Sequence, residues 1–391
     1  MTDDGSTTAR DEFIMFHRPS LGAAEERAVL EVLRSGWLTT GPRTKALEKR
    51  FAAYRGCRHA VGVNSCTAAL HLALVALGVG PGDEVVTTPI TFASTVNVII
   101  HCGATPVFCD VQEDTLNMDP ASLAAAITPR TKAVIAVHFA GHPCDMDEID
   151  AVVRPHGVPV VEDAAHAVEA EYKGRPAGSL GVAAGFSFYA TKNVTSGEGG
   201  MLTTSDDRIA TEAEVLALHG ISRDAWKRYG DEGYRHWDIV APGYKYNMFD
   251  IQAALVDAQL DRIDAFWERR RQIVELYDEA LADLPALVPL HRRDYVKSSY
   301  HLYVVRVTPE SGRTRDQVMA VLQQQGVGVG VHFRAVYLHP YYREAFGFKP
   351  GMLPVAEQNG EMVLSLPLYP SLRDDQLERV VGACRTALEV H

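Results

Sequence analysis

The chain has 391 residues, 47% of them hydrophobic and 23% charged, which suits a globular protein of two or three domains. Its 50 acidic and 38 basic residues leave a formal net charge of −12. That balance argues against a protein that grips a phosphate backbone or lies on an anionic membrane surface.

In chain order, the first residues, MTDDGSTTARDEFIMF, are polar and acidic, with no apolar core of a signal peptide. Residues 44–55 carry apolar positions at helical spacing. A valine-rich strand, HAVGV, runs into the buried helix pattern of 65–78, which closes at Gly78. Glu84–Thr88 reads as a strand, 92–101 as a helix, Pro106–Asp110 as a strand and Ala121–Ala126 as a short helix. Ala133–His138 and Pro159–Glu162 are apolar, β-branched runs of the parallel-sheet type. A strand rich in aromatics and hydroxyls then leads to Lys192 and a glycine-rich turn. Residues 220–240 read as a long surface loop, and 250–283 as one long amphipathic helix with Leu255, Leu260, Ile263, Phe266 and Trp267 on a stripe. From 298 the order is strand (YHLYVVRV), helix, strand (GVGVGVHF) and a last helix. Alternating elements followed by a separate α+β unit predict an α/β protein with a smaller second domain.

No stretch approaches 18 uncharged apolar residues, so no membrane span is expected. The six cysteines (Cys57, Cys66, Cys102, Cys109, Cys144, Cys384) contain no C-x-x-C pair and suit free thiols in a reducing cytoplasm. The sequon Asn193-Val194-Thr195 and the metal-like His138-x-x-x-His142-x-Cys144 both read as chance matches, and no metal is expected. Gly78-x-Gly80-x-Gly82 precedes a strand instead of opening a helix, so it is no dinucleotide fingerprint.

Four segments carry chemistry. In Asn64-Ser65-Cys66-Thr67, small hydroxyl residues open a helix after a strand, which presents free amides to a phosphate. Asp163 stands at the carboxyl end of an apolar strand, where open α/β sheets bind ligands, and His166 lies one turn on. Lys192 follows an aromatic strand whose walls can desolvate an amine. Gly243–Asp250 places aromatics and an amide ahead of a packing helix. Phosphate cradle, strand-end carboxylate and lysine are together the parts that hold pyridoxal phosphate. Phe92 is placed to cover its ring.

On these motifs the chain resembles the nucleotide-sugar aminotransferases of the DegT/DnrJ/EryC1/StrS family. The likeness runs from SGWLTTGP through NSCTAAL, DEVVTTPITFASTVNVI, GATPVFCDV, VVEDAAHA, FSFYATKNVTSGEGGM and GYKYNMFDIQAAL to LSLPLYP. The resemblance implies a fold-type I transferase: a large domain (44–265) with a mostly parallel sheet and a small α+β domain (266–391). An N-terminal segment (1–43) would pack on the small domain. It implies a homodimer with shared sites.

By position, Lys192 would be the Schiff-base lysine and proton carrier, and Asp163 the partner of the pyridine nitrogen. His166 would face the phenolic oxygen, and Phe92 would stack on the ring. Cys66, Thr67 and Ser187 would hold the phosphate, and Asn247 would reach the partner's cofactor. Some members carry Asn-Tyr-Arg where this chain has Lys245-Tyr246-Asn247. The sugar would meet the Thr39–Thr40 loop, the 220–240 loop and His332.

Relatives that dehydrate sugars at C3 replace the lysine with histidine, so Lys192 points to transamination. L-glutamate is the expected donor and dTDP-4-keto-6-deoxy-D-glucose the preferred acceptor, on the GYKYN variant and the HPYY stretch (His339–Tyr342), for a deoxyamino sugar of a secondary metabolite or surface glycan. A 3-keto-sugar enzyme, a UDP-4-keto-pentose enzyme, an aminocyclitol-forming enzyme and a non-catalytic cofactor-binding regulator stand as alternatives.

Overall fold

A computed structural model describes residues 13–222 and 237–389. The strands in chain order are β1 (His59–Val63), β2 (Glu84–Thr87), β3 (Thr105–Phe108), β4 (Thr131–Val137), β5 (Val160–Asp163), β6 (Glu171–Tyr172), β7 (Arg175–Pro176), β8 (Ala183–Ser187), β9 (Gly200–Thr204), β10 (Leu287–Pro289), β11 (Val296–Lys297), β12 (Tyr303–Val307) and β13 (Val363–Leu366). A seven-stranded sheet has the order β1-β9-β8-β5-β4-β2-β3. Only β9 runs against its neighbours; the other six strands are parallel. The chain thus has the α/β, fold-type I architecture with a mostly parallel central sheet.

The apolar β-branched strands form this sheet because helices cover both of its faces: β2, β5 and β9 are buried at every position and β4 at all but Lys132. On one side the helix Cys66–Ala76 packs over β8 with Leu70, Leu72, Ala73 and Leu74 fully buried. Its N-cap Ser65 accepts a hydrogen bond from the Ala68 amide at 3.1 Å, which fixes where the helix begins. On the other side Phe51 meets Phe186 and Phe188 edge to face, with centroids 5.0 and 5.7 Å away.

A second sheet, β10-β12-β13, packs under the helices Arg315–Gln324 and Asp374–Leu388 around Val305, Val318, Leu364 and Val380. Ile14 of the N-terminal segment joins this core and bridges Val327. The helix that follows, Ala23–Ser35, lies instead against the helix Asp250–Leu260. Its buried Glu25 receives Arg262 there.

Three sequence expectations need correction. The helix expected over 250–283 is two helices, Asp250–Leu260 and Ile263–Ala280, parted at Asp261–Arg262. The chain changes cores at that point. Ala253, Val256 and Leu260 face the large sheet, whereas Ile273, Val274 and Tyr277 face the small one, and one straight helix cannot serve both. GVGVGVHF is not a strand: Val327 and Gly330 make single bridges, to Ile14 and Ser365. β8 ends at Ser187, short of Lys192. Phe188 still exchanges backbone bonds with Gly199 and Ser196, so the intervening residues bulge out as a loop that carries the lysine. Residues 223–236 of the expected 220–240 loop lie outside the described residues. Among the described residues no helix is long and apolar enough to cross a membrane.

Candidate active site

The register aligns the strand ends that build the site. Val63 pairs with Gly200, which pairs with Ser187; Asp163 pairs with Gly185 and with Val137. The carboxyl ends of β1, β8, β5 and β4 therefore share one rim, where ligands of open α/β sheets sit. A cavity of about 630 Å³ opens there. It is lined by Cys66, Thr67, Phe92, Asp163, His166, Ser187, Lys192 and His332, which the sequence pointed to. Asn247 and Thr39 do not line it. Asn247 Nδ2 donates instead to Thr40 Oγ1 at 2.7 Å. The HPYY stretch also turns away: Tyr342 packs against Val336 and donates to Asn97 Oδ1 at 2.6 Å.

Close backbone approach shapes one end of the cavity, at the N-terminus of the helix Cys66–Ala76. A Cβ on Gly200 would lie 2.3 Å from the Ser65 carbonyl carbon and 2.6 Å from the Cys66 nitrogen. Only a glycine lets β9 touch the helix N-terminus, where the Cys66 and Thr67 amides have no intrahelical acceptor. Ser187 comes to the same corner through the β8–β9 register. The Cys66 side chain points elsewhere. Its Sγ is 3.9 Å from Asp163 Oδ1, and burial pushes the thiol's pKa well above its ordinary value. What Cys66 offers a phosphate is its amide, not its thiol. Gly200→Ala should cost at least about 1–3 kcal/mol through this collision with backbone. Thermal unfolding and the affinity for the phosphorylated cofactor should both report the loss.

Asp163 is 5% exposed. It accepts from Thr95 Oγ1 at 2.7 Å and from the Ala165 amide at 3.2 Å. Burial raises its pKa, and the Thr95 and Ala165 bonds oppose that rise. Its neighbour Glu162 is buried on the opposite face of β5. There it bonds His138 Nε2 at 2.9 Å and the amides of Gly178, Leu180 and Gly181. His138 is thus a core residue of a carboxylate network, and among the described residues no cluster could hold a metal. Asn193 of the sequon is 6% exposed and its amide is committed internally.

Lys192 reaches the cavity from the loop after β8. Desolvation lowers its amine pKa to about 8, against the opposing pull of Cys66 and Asp163. His166 is pushed well below the ordinary imidazole value, first by burial and then by Lys192 and His332. Its Nδ1 is buried without a partner. A ring acceptor or donor there would satisfy it. Phe92 is 65% exposed and tilts toward Phe333 at 6.3 Å.

The sequence reading missed Thr95, which donates to Asp163, and among the lining residues His17, His301 and Phe333. Thr95 lies three residues after Phe92, one helical turn away, and that spacing could have signalled it. Nothing local marks His17 or His301, which arrive from distant segments.

The family model for the "DegT/DnrJ/EryC1/StrS aminotransferase family" matches residues 19–385. The chain belongs to that family. It is 51% identical over 378 residues to the spore coat polysaccharide biosynthesis protein SpsC of Bacillus subtilis strain 168, covering 96% of this chain and 97% of that one. Among solved structures, the putative sugar aminotransferase Spr1654 from Streptococcus pneumoniae in its PMP-form superposes with a TM-score of 0.90 at 38% identity, covering 96% of this chain and 99% of that one. Its PLP-form gives 0.89 at 37%, with 96% and 98% covered. The aminotransferase TlmJ from Streptoalloteichus hindustanus gives 0.88 at 38%, also with 96% and 98% covered. This chain is a pyridoxal-phosphate-dependent sugar aminotransferase. Its cavity fits that cofactor: free helix amides beside a glycine that no side chain could replace, a carboxylate opposite, and an unpartnered imidazole nitrogen between.

Proposed function

We propose that the chain moves an amino group from L-glutamate to C4 of a nucleotide-linked 4-keto-6-deoxy sugar, with dTDP-4-keto-6-deoxy-D-glucose as preferred acceptor. The observation that carries the reaction is Lys192, a cavity amine whose pKa lies near the working pH at about 8. When bound, pyridoxal phosphate supplies an electron sink for the carbon that exchanges its proton. The residues of this chain do the rest. The Cys66 and Thr67 amides, the Thr67 hydroxyl and Ser187 hold the phosphate. Asp163 would pair with the pyridine nitrogen and keep it protonated. His166 would meet the phenolic oxygen, and Phe92 would cover the ring. Lys192, whose amine is lowered toward neutrality, would hold the cofactor and carry the proton in each half-reaction.

A glycan role is supported by the name of the Bacillus relative. The closed cavity wall of Phe16, His17, His332 and Phe333 is uncharged at neutral pH, as suits a sugar ring: burial lowers both His17 and His332 to about 4. His332, in the cavity wall, and Thr39, outside it, are assigned to the sugar.

Incubating the enzyme with glutamate and a panel of 3-keto, 4-keto and pentose sugar nucleotides, with NMR of the products, tests the reading. The expected product is a 4-amino-6-deoxy sugar nucleotide with 2-oxoglutarate. Amination at C3 alone, or visible absorbance that glutamate fails to bleach, would overturn it.

The working unit proposed is a cytoplasmic homodimer. Trp37, Leu38, Phe249 and the cavity residue Phe92 expose apolar surface. Asn247, outside its own cavity, is assigned to the partner's cofactor phosphate. Sedimentation should show a dimer at assay concentrations; an active monomer would remove that role. The domain division proposed is 1–43, 44–265 and 266–391.

A further inference from the structure

A network behind the cavity fixes the state of one histidine that the proposed chemistry leaves unused. Asn193, the residue after Lys192, donates from Nδ2 to Glu169 Oε2 and to the Ser299 carbonyl oxygen, both at 2.9 Å. A backbone carbonyl can only accept, so this amide cannot be turned over. Its Oδ1 then faces His301 Nδ1 at 3.0 Å. Oδ1 also can only accept, so the proton of that bond sits on His301 Nδ1. Burial first, then His166 and Lys192, hold the His301 pKa well below the ordinary value, and the ring is neutral. A neutral ring protonated at Nδ1 has a bare lone pair on Nε2. His301 lines the cavity, its ring 4.4 Å from that of His166, and Nε2 has no partner among the described residues. The frame behind is stiff. Arg270, 2% exposed, lies 3.7 Å from Glu169 Oε1 and reaches the Asn193 carbonyl at 3.5 Å.

We infer that His301 Nε2 accepts a hydrogen bond from a hydroxyl of the sugar, and that Asn193 is a positioning residue that sets this tautomer. The inference rests on the sugar reading above. A neutral lone pair suits an O–H donor and offers nothing to a carboxylate, which has only acceptors. The amino group of glutamate is the group given up, which leaves its carboxylates to meet the cavity wall, so of the two substrates the sugar gains and His301 separates the half-reactions.

Two measurements test this. In the cofactor-free protein, nitrogen NMR of the imidazole at pH 7 should show His301 protonated at Nδ1 only. A ring protonated at Nε2, or at both nitrogens, overturns the assignment without reference to any substrate. In single-turnover assays, His301→Phe should slow the sugar half-reaction about tenfold, the loss of one hydrogen bond to an uncharged partner. The glutamate half-reaction should fall much less. Equal losses in both halves overturn the role in sugar recognition. If the unsubstituted enzyme aminates no sugar nucleotide, the sugar reading itself fails, while the NMR still decides the tautomer.

Discussion

Lys192→Ala should abolish transamination and the visible absorbance of the lysine-attached cofactor, yet leave the fold intact and the cofactor-free protein no less stable. The loss of activity follows from removing the one lysine amine among the described residues that line the cavity. A positioned proton carrier alone is worth about 10²–10⁴-fold, and cofactor attachment is lost with it. Stability behaves differently because Lys192 is held against its preference. Its pKa is about 8 in the folded chain against 10.5 for a free amine.

Between those values the unfolded chain binds the proton and the folded chain does not. The stability of the unsubstituted protein should therefore rise with pH across that window. Below pH 8 both forms are protonated, and the folded state carries the full cost of the desolvated charge. Lys192→Ala removes that cost, so its melting temperature at pH 7 should equal or exceed that of the unsubstituted apoprotein, and the rise above pH 8 should vanish. The same pKa predicts that cofactor attachment to the apoprotein accelerates as pH rises through about 8. A variant that transaminates at the wild-type rate would refute the assignment. A large drop in melting temperature would show that the lysine is structural.

The sequence showed a great deal of this site, for identifiable physical reasons. Asp163 was legible because an apolar β-branched run that ends in a carboxylate is a strand end, and strand ends are where such sheets bind ligands. Yet Glu162 beside it is just as buried. Alternation sends the two carboxylates to opposite faces, and only the tertiary partners distinguish them: amides and His138 for Glu162, Thr95 and an open cavity for Asp163. The break at Asp261–Arg262 was not legible, because apolar positions continue at helical spacing while the core they face changes. GVGVGVHF has a strand's alternation but gains only two single bridges, to Ile14 and Ser365, and no local pattern announces its partners. His301 was missed for the opposite reason to Lys192. The lysine sits in a glycine-rich motif, whereas the histidine is defined by an amide 108 positions away in the chain. The family likeness raised the cofactor residues together. It said nothing of this network, and left Cys66 as a phosphate ligand without separating amide from thiol.

Asp163→Asn should bind the cofactor with little loss and turn over orders of magnitude more slowly. The substitution keeps the shape. The Ala165 amide can only donate, so the new carboxamide must present its oxygen there and its NH2 toward Thr95. The Thr95 hydroxyl can rotate to accept that proton and donate to Thr91 Oγ1, 2.7 Å away. The carboxamide oxygen and nitrogen each keep a partner, and a buried charge is removed, so the apoprotein should unfold at the same temperature or higher. What disappears is the negative charge proposed to hold a proton on the pyridine nitrogen.

Without that charge the cofactor would be a weaker electron sink, and the proton transfer that Lys192 serves should slow by about 10²–10⁴-fold. The fall should appear in both half-reactions, since each passes the same proton. That separates Asp163 from His301, whose loss falls on one half only. Thr95→Val provides a graded control. It removes one of the two bonds that oppose the raised pKa of Asp163, so the carboxyl should take up a proton at higher pH and the acid limb of the rate profile should move up. An Asp163→Asn enzyme with near-normal turnover would mean that the carboxylate only shapes the rim, and the electron-sink geometry proposed for this cavity would have to be abandoned.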